Sequence, residues 1–413
     1  MKAIVLLAYY NPEPASSVYL FDNFIDRLID SGLDVELIVP IPGRGVSKSI
    51  HKEYAKRLYE VEKDEHLCIH RFKIWMEGQK TIWRFVRYFF SCFKYYQIAK
   101  KIEGADIIFS ESTPPILGAT AALIKKKKHL PLVYNLQDIF PDSLVLTGIS
   151  SENSILWKIG RRIEKFTYAY ADRIITISED FRNNILQKGV PTEKISVVYN
   201  WVDQNAVVSV PREENKLFDM YGLDRSKFYV TYNGNIGLSQ NMDMLLEVAK
   251  NLEANEDIQF VLVGNGAYLD DVKRIINERN IHNVTLLPFQ PYEDISHVFS
   301  LGDVSLVISK PGTGNGCVPS KTWSIMSASR PVLANFDENE LKTIVESHNC
   351  GIFTKAGDKV AFADAILKLY NDRDLCREMG RNGRQFVMDN LTREVGTQKY
   401  VDVIKNVAAG AAK

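Results

Sequence analysis

Short runs of β-branched and aliphatic residues alternate with longer stretches of helical period along the whole chain. That alternation leaves few folds open: parallel strands joined by crossover helices. Two series are visible. Residues 2–7, 35–39, 105–110, 132–135, 173–177 and 195–199 read as strands of a first sheet; 229–232, 258–263, 284–287, 303–309, 331–334 and 351–354 read as strands of a second. Between the two series, residues 207–216 combine a proline with a run of charges and break the rhythm, which sets the linker there. The sequence thus predicts an α/β protein with an N-terminal domain over 1–206, a C-terminal domain over 217–390 and a closing helix over 391–413 that has no strand left to feed. A length of 413 residues accommodates two such domains.

Lys+Arg and Asp+Glu both total 51, so no global field recruits nucleic acid, and none is expected as a partner. The five cysteines, Cys68, Cys92, Cys317, Cys350 and Cys376, are odd in number and never form a CxxC pair. That argues against a disulfide framework or a zinc site, and for reduced thiols in the cytoplasm. The opening MKAIVLLAYYNPEP reads as a first buried strand and not as a signal peptide, because Pro12 and Pro14 follow the apolar run at once. No run approaches the roughly 20 apolar residues of a membrane-spanning helix.

In open parallel sheets, ligands bind beyond the carboxyl ends of strands, where helix N-termini and backbone N–H groups collect. Three stretches stand at such ends. Asn233-Gly-Asn-Ile-Gly237 lies between a strand and a helix, where glycine lets the backbone approach an anion; it also fits a tight turn, and it lacks the third glycine of a dinucleotide fingerprint. Residues 310–321, KPGTGNGCVPSK, carry three glycines and two prolines, with Ser320 where a helix N-cap belongs. Lys321 then falls in the first turn, where a cation opposes the helix dipole at a cost of about 0.3–1 kcal/mol, so an anionic ligand explains its placement. Gln137-Asp138-Ile-Phe-Pro-Asp142 follows a buried strand and sets two carboxylates near the binding edge, as a reacting polar group or as turn formers around Pro141.

Residues 80–101 contain no acidic residue. On a helical wheel Ile82, Phe85, Val86, Phe89, Phe93 and Tyr96 share one face, with Lys80, Arg84, Arg87, Lys94 and Lys101 opposite and Trp83 and Phe90 at the border. Two readings follow: a core-packing helix with a solvated basic side, or a helix lying on an anionic membrane. Asp372-Arg-Asp374 has the form of a metal motif but sits in a charged helical stretch, and reads as solvated surface.

Taken together, these motifs resemble retaining, family-4-type glycosyltransferases of the GT-B fold, of the branch that builds bacterial capsule and O-antigen polysaccharide. The resemblance is carried by Ala8-Tyr-Tyr-Asn-Pro-Glu-Pro-Ala-Ser-Ser17, residues 137–142, Ala171-Asp-Arg-Ile-Ile-Thr-Ile-Ser-Glu179 and Val198-Tyr-Asn-Trp-Val-Asp203. It continues through residues 232–237, Leu262-Val-Gly-Asn-Gly266 and Val318-Pro-Ser-Lys-Thr-Trp-Ser-Ile-Met326 to Arg330-Pro-Val-Leu333. It implies two Rossmann-like domains facing each other across an interdomain cleft, with acceptor on the first, donor on the second and the last helix crossing back. It also implies that Gly264, Asn265, Phe289 and Gln290 lie near the base, and Gly312, Thr313, Gly314, Gly316, Ser320, Lys321 and Thr322 near the sugar and diphosphate. No metal is expected, since dipoles and basic side chains take the leaving group's charge. The chain departs from the commoner pattern where Asn235 replaces an Arg, Gln240 a Lys, and Gly316 and Ser324 a pair of Glu. Lys321 then stands in for the missing cations, and Asp337, Glu338 or Glu340 for the ribose carboxylate.

The expected function is transfer of a sugar from a UDP- or GDP-linked donor to a glycan or polyprenyl-diphosphate-linked acceptor in surface polysaccharide assembly, with retention, without metal or other cofactor. The enzyme is expected in the cytoplasm, peripheral at the inner face of the membrane through residues 80–101. Lys321 and the amides of residues 234–237 (Gly234, Asn235, Ile236, Gly237) and 320–322 would stabilise the leaving diphosphate, with Gln240 beside them. Asp138 would orient the acceptor or transferred sugar, and Asn11, Ser16, Ser17, Ser112 and Thr113 would line the acceptor side. Two alternatives are a GT-B sugar-nucleotide epimerase, which needs a His that these loops lack, and a non-catalytic binding subunit left by the missing ligands.

Overall fold

The computed structural model describes all residues except 15, 79–80, 147–149, 315–317 and 412–413, and all side chains of the described residues except those of Ser16, Thr81, Ile82 and Leu146. Lys80, Gly316 and Cys317 therefore lie outside the described residues. The chain divides into two compact units, Met1–Tyr199 with Gly396–Lys413, and Asn200–Val395.

The first unit is built on β1 (Lys2–Leu6), β2 (Asp34–Pro40), β3 (Tyr59–Glu62), β4 (Leu67–Phe72), β5 (Ile107–Glu111), β6 (Leu132–Leu136), β7 (Arg173–Thr176) and β8 (Ile195–Val197). Their order in the sheet is β3-β4-β2-β1-β5-β6-β7-β8. All pairings are parallel except β3 with β4. β1, β5 and β6 read as continuous apolar runs because helices cover both faces of the sheet, and their residues are almost all buried. The final helix, Arg393–Ala411, contributes to this unit: Tyr400 packs 5.4 Å from the Phe24 ring and accepts from Asn135 Nδ2 at 2.7 Å, and Arg27 donates to Gln398 at 2.6 Å.

The second unit holds β9 (Phe228–Asn233), β10 (Ile258–Val263), β11 (Val284–Leu287), β12 (Val304–Ile308), β13 (Val332–Phe336) and β14 (Gly351–Lys355). They are parallel throughout, in the order β11-β10-β9-β12-β13-β14. Counted within the unit this is 3-2-1-4-5-6, the doubly wound Rossmann order. Residues 207–216 do not hang free as a linker. Val208 N donates to Ser296 Oγ at 3.0 Å, Val210 N to Ser300 Oγ at 2.9 Å, and Ser327 Oγ to Val207 O at 2.5 Å, which ties the stretch into this unit.

The wheel drawn for residues 80–101 is corrected by the helix Thr81–Ala99. Its buried side is Arg87, Ser91, Cys92, Tyr95 and Ala99, while Trp83, Phe85, Phe89, Phe90 and Phe93 are exposed, Phe89 at 68%. Arg87 goes inward because polar partners wait there: its Nε donates to Trp75 O at 3.0 Å and its Nη1 lies 3.7 Å from Glu77. The aromatic face therefore does not pack the core. Among the described residues no helix is long and apolar enough to cross a membrane.

Candidate functional site at the carboxyl edges of the sheets

Strand order in the second sheet reverses between β9 and β12, and the loops leaving those strands open a crevice at the carboxyl edge. Residues 234–237 follow β9, and residues 264–266, after β10, lie against them. Gly264 has φ +155, and a Cβ there would stand 1.9 Å from Gly234 O; one at Gly266 would stand 2.2 Å from Ile236 O. Only glycine lets these loops touch backbone to backbone.

That contact uses up amides. Gly234 N donates to Val263 O at 2.9 Å, Ile236 N to Asn265 O at 2.9 Å and Gly237 N to Gln240 Oε1 at 3.0 Å. The expectation that the amides of 234–237 hold a diphosphate is thereby corrected, since three of the four already have protein acceptors. Gln240 takes an amide where a cation was looked for. Asn235 offers its carbonyl to Tyr232 Oη at 2.6 Å, which braces the loop from below. Ser320 does not act as an N-cap: its φ −57 and ψ −28 are already helical and its hydroxyl accepts no cap bond. Thr322 N donates to Pro319 O at 2.9 Å, so of residues 320–322 this amide is also engaged.

Lys321 is the group these loops leave uncompensated. Its Nζ sits 3.9 Å from the centroid of the Tyr232 ring, and a Cβ at Gly234 would stand 3.4 Å from it. Among the described residues no carboxylate pairs with it. Some of its surface stays open, but burial of the amine pushes its pKa down to about 7. Lys310, two residues beyond the end of β12, likewise lies over a ring, 5.5 Å from Tyr268, and pairs with no described carboxylate. Orphaned polar atoms collect at the same edge. Asn233 (both amide atoms), Ser309 Oγ and Thr322 Oγ1 are buried with no partner among the described residues. Buried groups of this kind ordinarily find partners, which makes this edge the candidate ligand site.

Asp337, one of three ribose candidates, is already engaged: it accepts from Gly312 N at 3.0 Å and Gly314 N at 2.8 Å and shapes the loop beyond Lys310. Glu338 pairs with Lys342 at 3.1 Å and Glu340 is buried. Thr313 Oγ1 donates to Ser239 O at 3.1 Å, drawing the 310–314 loop to the one after β9. Phe289 is 74% exposed, a free platform for a flat ring, whereas Gln290 is buried and donates to Tyr221 Oη at 2.8 Å and Pro288 O at 2.7 Å.

In the first sheet the reversal falls between β1 and β5. Glu111 closes β5, is buried, and accepts from Ala8 N across the switch point; burial pushes its carboxyl up to about 8. Glu13 is buried too and accepts from Gly43 N and Arg44 N, each at 2.8 Å; burial raises it and these amides oppose. Ser112, expected to touch acceptor, is buried, and its hydroxyl accepts from Gln137 N at 2.9 Å and Asp138 N at 3.3 Å. It fixes the Asp138 loop. Asp138 keeps exposed surface, and desolvation raises its carboxyl while the Ser143 hydroxyl and Ile139 amide oppose. Thr113 is half-buried beside Ser112, Ser17 is half-buried in the first turn of the helix Ser16–Asp30, and the Ser16 side chain is outside the description. Asn11 is turned aside: its side chain donates to Asp22 at 3.1 Å and its carbonyl accepts from Arg71 at 3.0 Å. Glu13, Glu111 and Ser309 were given no role in the sequence reading, and Asn233 and Lys310 entered it only as the first residues of the 233–237 and 310–321 stretches. Among the described residues no group of three or more His, Cys, Asp and Glu converges as a metal site requires.

Known proteins share this architecture. Residues 19–206 match the family Glycosyltransferase Family 4 and residues 213–386 match Glycosyl transferases group 1. The "Probable glycosyltransferase WbjE" of Pseudomonas aeruginosa is 25% identical over 310 residues, 75% of this chain and 76% of that protein. Among solved structures, Anabaena Alr3699/HepE in complex with UDP superposes with a TM-score of 0.73 at 17% identity, covering 98% of this chain and 100% of that one; the same protein is also known with UDP-glucose. WaaG, a glycosyltransferase involved in lipopolysaccharide biosynthesis, gives a TM-score of 0.64 at 13% identity, covering 97% of this chain and 99% of that one. With both halves matched in order and each carrying its own Rossmann-like sheet, the chain is a glycosyltransferase of the GT-B fold, a Family 4 first half joined to a group 1 second half.

Proposed function

We propose that this glycosyltransferase carries a sugar from a uridine diphosphate donor to a lipid-linked glycan in the assembly of a bacterial surface polysaccharide, with retention at the anomeric carbon. The observation that carries this reading is Lys321, a desolvated cation with no described carboxylate partner, beside the Gly234 loop and above the Tyr232 ring. A buried unpaired ammonium is costly, and a diphosphate returns the missing charge. As the anomeric C–O bond to the diphosphate breaks, negative charge grows on the leaving oxygen, and a cation fixed there acts on the transition state. Lys310 supplies the second charge, the orphaned Asn233, Ser309 and Thr322 meet sugar or phosphate oxygens, and the exposed Phe289 ring stacks on the base. Metal is dispensable here because the two lysines carry the counter-charge. Asp138, held by Ser112, orients the acceptor hydroxyl. The uridine assignment draws on the UDP and UDP-glucose complexes of Alr3699/HepE, and the polysaccharide role on WaaG.

The exposed aromatic face of Thr81–Ala99, flanked by exposed Lys73, Lys94 and Lys100, brings the enzyme to an anionic bilayer at the inner membrane face, where a lipid-linked acceptor resides. Insertion comes from Phe89 and Phe93, so Phe89→Ser with Phe93→Ser abolishes sedimentation with anionic vesicles. The donor reading is tested by thermal shift with UDP, UDP-glucose and GDP, since a ligand of the native state raises its midpoint. UDP and UDP-glucose shift the wild type, and Lys321→Ala removes most of the shift. An equal shift in the variant sinks the assignment of Lys321.

A further inference from the structure

At the opposite edge of the second sheet, where β9, β12 and β13 begin, lies a cavity of about 480 Å³. Six cations line it, Arg212, Lys227, Arg330, Arg373, Arg377 and Arg381, against a single carboxylate, Asp303. We propose that it is a second anion site, distinct from the donor crevice, that takes a small phosphoanion with two or more phosphate charges.

The argument begins with charge. Asp303 cannot neutralise the lining, because its oxygens are taken by Tyr229 N at 2.8 Å and Arg212 at 2.7 Å, with Arg373 at 3.6 Å. Lys227 and Arg377 pair with Asp257 and Asp374, which do not line the cavity; Arg381 has no carboxylate partner among the described residues. Arg330 donates to Ser300 O at 3.0 Å, yet its Nε is buried with no partner among the described residues. Burial pushes the Arg330 guanidinium below its ordinary range; Asp303 opposes this and the Arg212 charge adds to it.

Geometry adds to charge. The floor is rigid: Arg373 stacks 4.1 Å over Phe228 and 5.0 Å over Tyr370, and Arg212 lies 5.3 Å over Phe218 while donating to Lys227 O at 2.7 Å. At the mouth, Arg377 and Arg381 are exposed, one turn apart on the helix Arg373–Asn390. That helix is pressed onto the turn before β13, since a Cβ at Gly380 would stand 2.2 Å from Ser329 O, and this holds the two arginines beside Arg330. Guanidinium groups fixed below and exposed above suit phosphate oxygens, which they meet in bidentate pairs. The volume falls within the range of small-ligand sites.

The proposal is independent of the donor reading, and one titration separates them. Inorganic pyrophosphate is titrated calorimetrically into the whole protein with UDP present in excess. One equivalent is expected to bind, Arg377→Ala with Arg381→Ala to weaken it about tenfold or more, and UDP binding to stay unchanged in that variant. Lys321→Ala is expected to spare pyrophosphate binding. Both arginines are exposed, so their removal leaves the fold intact, which the thermal midpoint checks. Absence of binding at millimolar pyrophosphate, displacement by UDP, or equal affinity in the double variant would overturn the site. So would retention on vesicles carrying a phosphomonoester lipid without any binding of pyrophosphate.

Discussion

Both sheets end in loops that leave a crevice at the switch of strand order, yet the loops are held by different means. In the first unit buried side chains do the holding: Glu111 takes the Ala8 amide, Glu13 those of Gly43 and Arg44, and Ser112 those of Gln137 and Asp138. In the second, backbone meets backbone across glycines, and Gly234 and Ile236 donate to Val263 and Asn265. The consequence is electrostatic. An edge pinned by carboxyl groups is acidic and its acids titrate high; an edge pinned by its own amides is free to leave lysines unpaired. On the proposed function, the first edge takes hydroxyl groups and the second a diphosphate.

The sharpest way to break the comparison is at Gly264. An added Cβ would lie 1.9 Å from Gly234 O, at a φ of +155, and a carbonyl in a braced loop has nowhere to go. Gly264→Ala is expected to cost about 3 kcal/mol or more in denaturant unfolding and to abolish UDP binding. A stable variant with normal binding would mean that the two loops are not locked by contact.

Next in size is Lys321. Loss of a charge-assisted bond of roughly 1.5–3 kcal/mol lowers turnover by about ten- to a hundredfold. The same lysine burdens the fold. Its pKa of about 7 lies below the ordinary 10.5, so the unfolded chain binds more protons across that window. Stability therefore rises with pH between these values, and the penalty is complete below about 7. Lys321→Met is expected to be more stable than the wild type under neutral and acid conditions, and less active. Because a diphosphate needs the ammonium form, UDP binding above pH 7 should take up close to one proton, read by calorimetry in buffers of different ionisation enthalpy. No proton uptake would place the diphosphate elsewhere.

Ser112 tests the other style of pinning. Ser112→Ala removes the acceptor of the part-buried amides of Gln137 and Asp138, at about 1 kcal/mol of stability. If instead stability holds and only the acceptor KM rises, Ser112 is an acceptor contact and the first edge is not held as described.

The sequence disclosed the strands with apolar runs, because burial on both faces leaves no alternation to misread; 258–263 and 303–309 are matched by β10 and β12. It hid β3 and β4. Their YEVE and LCIHRF carry charges that pairing accommodates: His70 meets Glu36 of β2 at 2.6 Å, 34 residues away, and Arg71 meets Glu60 of the neighbouring β3 at 2.9 Å. Arg87 deceived the helical wheel for a related reason, since its partners Trp75 and Glu77 lie outside the helix. At the site, Lys321 was visible as a cation against a helix dipole. That the amides of 234–237 were already taken was not, because residues 263–265 and 240 had to be folded beside them first.

Glu111 is read through pH dependence, and it separates holding from charge. Its carboxyl is raised from 4.5 to about 8 by burial, with the Ala8 amide opposing. Between those values the native protein keeps a proton that the unfolded chain releases, so stability falls as pH rises, by at most about 1.4 kcal/mol per unit. Glu111→Gln keeps an acceptor for Ala8 N and cannot ionise. Near pH 4.5 it should match the wild type closely, and toward pH 8 it should exceed it, with the wild-type slope gone from the unfolding free energy. If the variant is instead weaker at every pH, the ionised carboxylate itself is what pins Ala8. The first edge would then carry a fixed negative charge at its switch point, as the counterpart of Lys321 in the second.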